Sequence, residues 1–207
     1  MASLIVVDYG AGNRVSVVNA FRALGIEAKP SADPGEIRNA DRVVFPGVGA
    51  AASAMERLSQ TGIAGALRAV VESGKPLLGI CLGCQIILDE SEEDGGTKTL
   101  GLISGRAVRF KEEKGIKIPH MGWNQVSYPK MHPIFKNIKS GSDFYFVHSY
   151  YPQVSSEFVF GETVYGTQKF PSLIGKDNLI AAQFHLEKSG DAGLEVLKNF
   201  SRWDGKC

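Results

Sequence analysis

The sequence contains no apolar run approaching the ~20 residues that a membrane-crossing helix needs, so no membrane partner is expected. Its first residues, Met1-Ala2-Ser3-Leu4-Ile5-Val6-Val7-Asp8, carry no basic residue ahead of a short apolar run and do not read as a secretory signal. Three cysteines, an odd number, do not make the disulfide framework of a secreted scaffold. A cytoplasmic setting is expected. Lys and Arg number 23 against 22 for Asp and Glu, a net charge of +1. The basic excess of a nucleic-acid binder is missing, and no nucleic acid is expected. The four histidines show no paired spacing, whereas a structural zinc site usually draws four ligands from two close pairs. No metal or cofactor is expected.

What is present is globular. The hydrophobic fraction is 43 %, and 24 glycines punctuate the chain. No linker, repeat or low-complexity tract divides it, so one domain over residues 1–207 is expected. In the first half, short apolar strands at residues 4–8, 41–45 and 76–80 are separated by helical patterns. These are a helix that Gly25 stops, helical material over residues 50–73, and a helix beginning at Gly83. That alternation predicts an α/β fold with a mixed, mainly parallel central sheet flanked by helices. The second half reads as strands at residues 107–110, 124–128, 144–148, 158–165 and 179–184, then a helix at 189–200. The charged clusters at residues 91–98 and 111–117 read as solvated loops.

The most informative segment is Leu78-Gly79-Ile80-Cys81-Leu82-Gly83-Cys84-Gln85. It sets Cys81 between an apolar strand and a helix in a Gly-x-Cys-x-Gly frame, a nucleophile elbow with sulfur in place of oxygen. A tight strand-to-helix turn forces unusual backbone angles, and the flanking glycines remove side chains that would clash there. The helix start favours a thiolate and leaves N–H groups free for an oxyanion. Cys81 and Cys84 also form a Cys-x-x-Cys pair, so a thioredoxin-like dithiol is a rival reading. On the nucleophile reading, Cys84 is a small apolar residue packing inward.

A nucleophilic cysteine needs a base, and the base needs an orienting group. Ala182-Gln183-Phe184-His185-Leu186-Glu187 follows an apolar strand, and in an extended segment residues i and i+2 share a side. His185 is therefore the candidate base and Glu187 its orienter, with His120 and His148 as competitors. Pro46-Gly47-Val48-Gly49 follows a second strand and can bring backbone N–H groups to a ligand, completing with Leu82 an oxyanion hole. Gly10-Ala11-Gly12 lacks the third glycine of a dinucleotide fingerprint, since position 15 is Val, and no nucleotide is expected there.

Gly79-Ile80-Cys81-Leu82-Gly83-Cys84-Gln85 with Phe184-His185-Leu186-Glu187 resembles a class I glutamine amidotransferase. Four further stretches narrow the resemblance to the glutaminase subunits of histidine biosynthesis. They are Asp8-Tyr9-Gly10-Ala11-Gly12-Asn13, Pro46-Gly47-Val48-Gly49-Ala50, Pro119-His120-Met121-Gly122-Trp123-Asn124 and Phe146-Val147-His148-Ser149-Tyr150. The resemblance spans nearly the whole chain and implies a flavodoxin-like domain. It implies that Cys81 attacks the glutamine side-chain amide, ammonia leaves, and water hydrolyses the γ-glutamyl thioester. Catalytic Cys81, His185 and Glu187, an oxyanion hole at Val48, Gly49 and Leu82, and glutamine contacts at Gly47, Gln85, Glu93, Ser149 and Tyr150 are implied.

The resemblance further implies that the ammonia passes to a (β/α)8 cyclase subunit in a heterodimer. That partner makes imidazole glycerol phosphate and aminoimidazole carboxamide ribotide. A dry passage keeps ammonia from becoming ammonium, and Asn13, Trp123 and Lys188 are the expected interface residues. Two departures stand out. Leu186 replaces the usual Pro of a His-Pro-Glu triplet, and Cys84 replaces a Met. They leave open a relative serving another acceptor, such as a sugar, and a non-catalytic binding subunit.

Overall fold

The structure, a computed structural model, describes residues 2–11 and 13–206. Gly12 of the first glycine loop and the third cysteine, Cys207, lie outside the described residues. The first half runs β1 (Leu4–Val7), α1 (Arg14–Ala23), β2 (Lys29–Ser31), α2 (Pro34–Asn39), β3 (Arg42–Gly47), α3 (Ala51–Gln60), α4 (Ile63–Glu72), β4 (Leu77–Cys81) and α5 (Leu82–Ile86). The second half runs β5 (Glu90–Ser91), β6 (Thr97–Lys98), β7 (Gly105–Arg109), β8 (His120–Val126), β9 (Ser142–His148), β10 (Tyr150–Val154), β11 (Val159–Tyr165), β12 (Gln168–Lys176), β13 (Leu179–Ala182) and α6 (Gly190–Phe200).

The central seven-stranded sheet has the order β11-β12-β13-β4-β3-β1-β2. Its pairings from β13 through β4, β3 and β1 to β2 are parallel, and β11-β12 and β12-β13 are antiparallel. Every residue of β1 and β4 is buried. Alternation along the strands divides the core into two layers. Leu4, Val6, Val44, Leu78 and Ile80 pack with Val17 and Phe21 of α1 and Val196 and Phe200 of α6. Ile5, Val7, Val43, Phe45 and Leu77 pack on the other face with Ile37 of α2, Leu58 of α3 and Leu67 and Val70 of α4. Each fully buried side chain of this size contributes roughly 1.5–3 kcal/mol.

The expected mixed, mainly parallel sheet is present, with two smaller sheets beside it: β10-β7-β5-β6 and the β8-β9 hairpin. The helical stretch over residues 50–73 is two helices, because Gly62 at φ +76° breaks it. The segment 91–98 is not simply a solvated loop; it holds β6 and the end of β5, which pair antiparallel. Sequence patterning missed β2, α2, β10 and β12. In β12, Pro171 and Gly175 disguise an interior strand. The pairing with β11 tolerates Pro171 where the register shifts beside Gly161 and Glu162.

Candidate active site

β4 delivers Cys81 to the carboxyl end of the parallel sheet, where α/β proteins place their ligands. Cys81 sits at φ +56°, ψ −108°, a conformation that costs a non-glycine residue energy and persists only where the surroundings enforce it. Its flanking glycines show how. A Cβ on Gly83 would stand 2.1 Å from the Phe45 carbonyl oxygen of β3, and one on Gly79 would stand 2.9 Å from Ala181 Cβ of β13. Only bare backbone lets the elbow press against both neighbouring strands. The Cys81 thiol itself is aimed at the Val147 carbonyl, 3.9 Å away.

The segment after β13 carries His185, the candidate base. The His185 N–H donates to the Tyr145 carbonyl of β9 at 2.9 Å, and Ser189 Oγ donates to the His185 carbonyl at 2.5 Å, so the ring's position is tied to two elements. His185 Nδ1 donates to Glu187 Oε1 at 2.7 Å, with both side chains almost wholly excluded from water. Asn13 Nδ2 donates to the same oxygen at 2.8 Å. Asn13, expected at a partner surface, thus holds Glu187 from the β1–α1 loop. His185 Nε2 has no hydrogen-bond partner, is buried, and lines one cavity with Cys81. Burial alone would lower the imidazole pKa, but the interaction with Cys81 and Glu187 outweighs it and raises it to about 10. Burial works to raise the Glu187 carboxyl, yet the bond and charge of His185 win and hold it below its ordinary value.

That cavity has a volume of about 320 Å³. Val48, Gly49 and Leu82 line it beside Cys81, and so do Gln85, Glu93, Ser149 and Tyr150. Gly49 stands at φ +94°, which leaves the Val48–Gly49 backbone exposed in a conformation that favours glycine. Gly47, expected to touch substrate, is not on the lining. It is buried one layer behind, where a Cβ would meet Leu82 Cβ at 2.8 Å and Tyr9 Oη at 2.9 Å. Gln85 Nε2 donates to the Tyr150 carbonyl at 2.8 Å and to Gln183 Oε1 at 3.0 Å, fixing that wall. Glu93 Oε2 accepts the Ala51 N–H at the start of α3 at 2.7 Å, while burial raises its carboxyl. A larger cleft of about 480 Å³, lined by Ser3, Leu4, Gly25 and Arg42 among others, lies at the amino ends of the strands and pairs no nucleophile with a base.

The competitors for the role of base are accounted for by their partners. His120 and His148 bond to each other, and burial lowers their pKa values to about 4 and about 3. Cys84 is buried, and burial pushes its thiol up, as befits a packing residue and not an attacking one. Among the described residues no group of three or more His, Cys, Asp or Glu could hold a metal. Leu186 is fully buried in the core, and the turn Leu186–Lys188 forms without proline. Trp123 and Met121 are 58 % and 61 % exposed on β8. Trp123 meets Tyr145 edge-on at 6.1 Å, and Lys188 Nζ lies 5.7 Å from the Tyr145 ring, so Trp123 and Lys188 share one surface next to Glu187.

A buried cysteine elbow, a facing histidine and a carboxylate at the strand ends define a thiol hydrolase or transferase. The chain belongs to the class I glutamine amidotransferase family, whose pattern, described as "Glutamine amidotransferase class-I", matches residues 5–202. It is similar over nearly full length to proteins described as "Imidazole glycerol phosphate synthase subunit HisH". That of Moorella thermoacetica is 50 % identical over 97 % of this chain and 94 % of its own. That of Listeria innocua is 42 % identical over 99 % and 97 %. Among solved structures, a glutamine amidotransferase superposes with a TM-score of 0.74 at 20 % identity, over 96 % of this chain and 100 % of that one. PurLQS from Thermotoga maritima also gives 0.74, at 18 % identity over 97 % and 98 %. At such identities these two structures show the shared fold.

Proposed function

We propose that this chain is the glutamine-hydrolysing subunit of imidazole glycerol phosphate synthase and works in histidine biosynthesis. The observation that carries the reading is the unpartnered His185 Nε2, buried beside Cys81 and backed through Nδ1 by Glu187. His185 Nε2 takes the Cys81 thiol proton, and the sulfur attacks the side-chain amide carbon of glutamine, forming a C–S bond as the carbonyl double bond opens. The carbonyl oxygen takes the negative charge, which backbone N–H groups of the Val48–Gly49 segment and Leu82 stabilise. His185 then gives its proton to the amide nitrogen, the C–N bond breaks, and ammonia leaves a γ-glutamyl thioester. His185 next accepts a proton from water, whose oxygen attacks the thioester carbon; the C–S bond breaks, the proton returns from His185 to the Cys81 sulfur, and glutamate leaves.

Glu93, Gln85, Ser149 and Tyr150 supply the polar wall that holds glutamine, Glu93 as the carboxylate for its ammonium. The ammonia passes to a cyclase subunit, a (β/α)8 barrel docked on the surface that carries Met121, Trp123 and Lys188. Support for this comes from the exposed aromatic on β8, a common anchor of interfaces, lying beside the buried triad. The setting is cytoplasmic; among the described residues, no helix is long and apolar enough to cross a membrane. The test measures glutamate release from glutamine by the chain with and without a cyclase subunit and its nucleotide. Release that rises with the partner and vanishes in Cys81→Ala is expected; a Cys81→Ala complex that still hydrolyses glutamine overturns the reading.

A further inference from the structure

His120 and His148 take no part in the chemistry above, yet all four of their ring nitrogens are engaged. They face each other across the β8–β9 register, with His120 Nδ1 3.0 Å from His148 Nε2. His148 Nδ1 is 2.8 Å from the Tyr150 carbonyl, and His120 Nε2 is 3.2 Å from Asn124 Nδ2. A carbonyl can only accept, so His148 carries its proton on Nδ1 and its Nε2 must accept. His120 then donates from Nδ1, and its Nε2 accepts from Asn124. The orientation of the Asn124 amide agrees: Nδ2 also donates to the Val164 carbonyl at 2.9 Å, and Oδ1 accepts the Gln125 N–H at 2.8 Å. The His120 ring is clamped between Phe146 and Tyr165, with centroids 4.7 and 4.0 Å away and both nearly parallel to it.

The chain of bonds ends where substrate binding begins. The Tyr150 carbonyl that accepts from His148 also accepts from Gln85 Nε2, and His148, Tyr150 and Gln85 all line the glutamine cavity. The other end lies on β8, whose opposite face exposes Met121 and Trp123. We propose that His120 and His148 are positioning residues: a tautomer-fixed relay from Asn124 to the Tyr150 carbonyl that sets the glutamine-binding wall. The proposal rests on the glutaminase reading of the cavity. Both rings stay neutral because they are buried, which the relay requires, since an added proton would leave two donors facing one another. The relay acts on ground-state binding of glutamine, not on bond breaking, because it touches neither the Cys81 sulfur nor His185 Nε2.

The test uses the full chain in complex with its cyclase subunit. Nitrogen-15 NMR of the histidine-labelled chain at neutral pH should show both rings neutral with the proton on Nδ1; Nε2–H on either ring overturns the relay. His120→Phe keeps a ring between Phe146 and Tyr165 and removes both polar contacts. It should raise KM for glutamine about fivefold, the worth of one neutral hydrogen bond, with kcat within twofold. Asn124→Ser, at a half-buried strand position, is the milder second variant and should shift KM in the same direction. An unchanged KM in a folded variant, or a fall in kcat alone, overturns the positioning role. Wild-type chain with both tautomers as stated but no glutamine hydrolysis overturns the glutaminase reading instead, and with it the substrate half of the proposal.

Discussion

Glu187→Gln removes a charge and almost nothing else. Glu187 Oε1 accepts from His185 Nδ1 at 2.7 Å and from Asn13 Nδ2 at 2.8 Å, while Oε2 is buried without a partner. A glutamine must keep its oxygen toward these two donors, since turning the amide would set its NH2 against the Asn13 NH2. The geometry of His185 therefore survives, and the fold bears the cost of one buried amide donor without a partner, about 1–3 kcal/mol. What is lost is the carboxylate opposite the protonated imidazole. Hydrogen bonds to charged groups are worth about 1.5–3 kcal/mol, so the expected fall in kcat is roughly 10- to 150-fold.

The pH dependence carries a second sign. In the wild type the His185 imidazole is raised above its ordinary 6.5 to about 10. Its contribution to stability is then complete below pH 6.5 and fades as pH rises toward 10. Without the carboxylate the folded-state pKa falls, so that contribution should be smaller and should be exhausted at lower pH. Glutamate release at saturating glutamine and chemical denaturation between pH 6 and 10 measure both effects. A variant that keeps kcat within threefold, with its stability profile unmoved, would refute the assignment of Glu187.

Gly83→Ala should destabilise the fold by about 3 kcal/mol, because its Cβ would fall on the Phe45 carbonyl. In a chain of this size that is a drop in Tm of roughly 6–12 °C, and a Tm within 2 °C of wild type would show that the elbow has room to move. Trp123→Ala should leave the isolated chain as stable as before, within about 0.5 kcal/mol. It should weaken binding to a cyclase subunit by about 2 kcal/mol, roughly 30-fold in Kd, by calorimetry. Cys84→Ala should cost about 1 kcal/mol in urea unfolding and leave glutamine hydrolysis within twofold; loss of function would revive the Cys-x-x-Cys dithiol reading.

What the sequence discloses about the site depends on how local each requirement is. The elbow was legible because Gly79, Cys81 and Gly83 answer a steric demand within five residues. His185 and Glu187 were legible for the same reason, as an i, i+2 pair at a strand end. The role of Asn13 was not, because its bond to Glu187 joins residues 174 apart. The His120–His148 relay was equally hidden, since it exists only once β8 and β9 adopt their register. The glutamine contact at Gly47 is implied by the resemblance alone, and a Cβ there would meet Leu82 and Tyr9. In the fold, uniformly apolar β1 and β4 announced themselves, whereas β12 hid behind Pro171 and its register shift.

The place of β13 in the sheet also sets an order of assembly. Among the described residues it is the last strand in chain order, yet it lies inside the central sheet between β12 and β4. Until it leaves the ribosome, β4 presents an unpaired edge just where it carries the cysteine. His185 and Glu187 follow β13 directly in the chain. The strand that seals the sheet is thus followed at once by the two candidate partners of the thiol, so on the proposed reading closure of the sheet and completion of the site are one event.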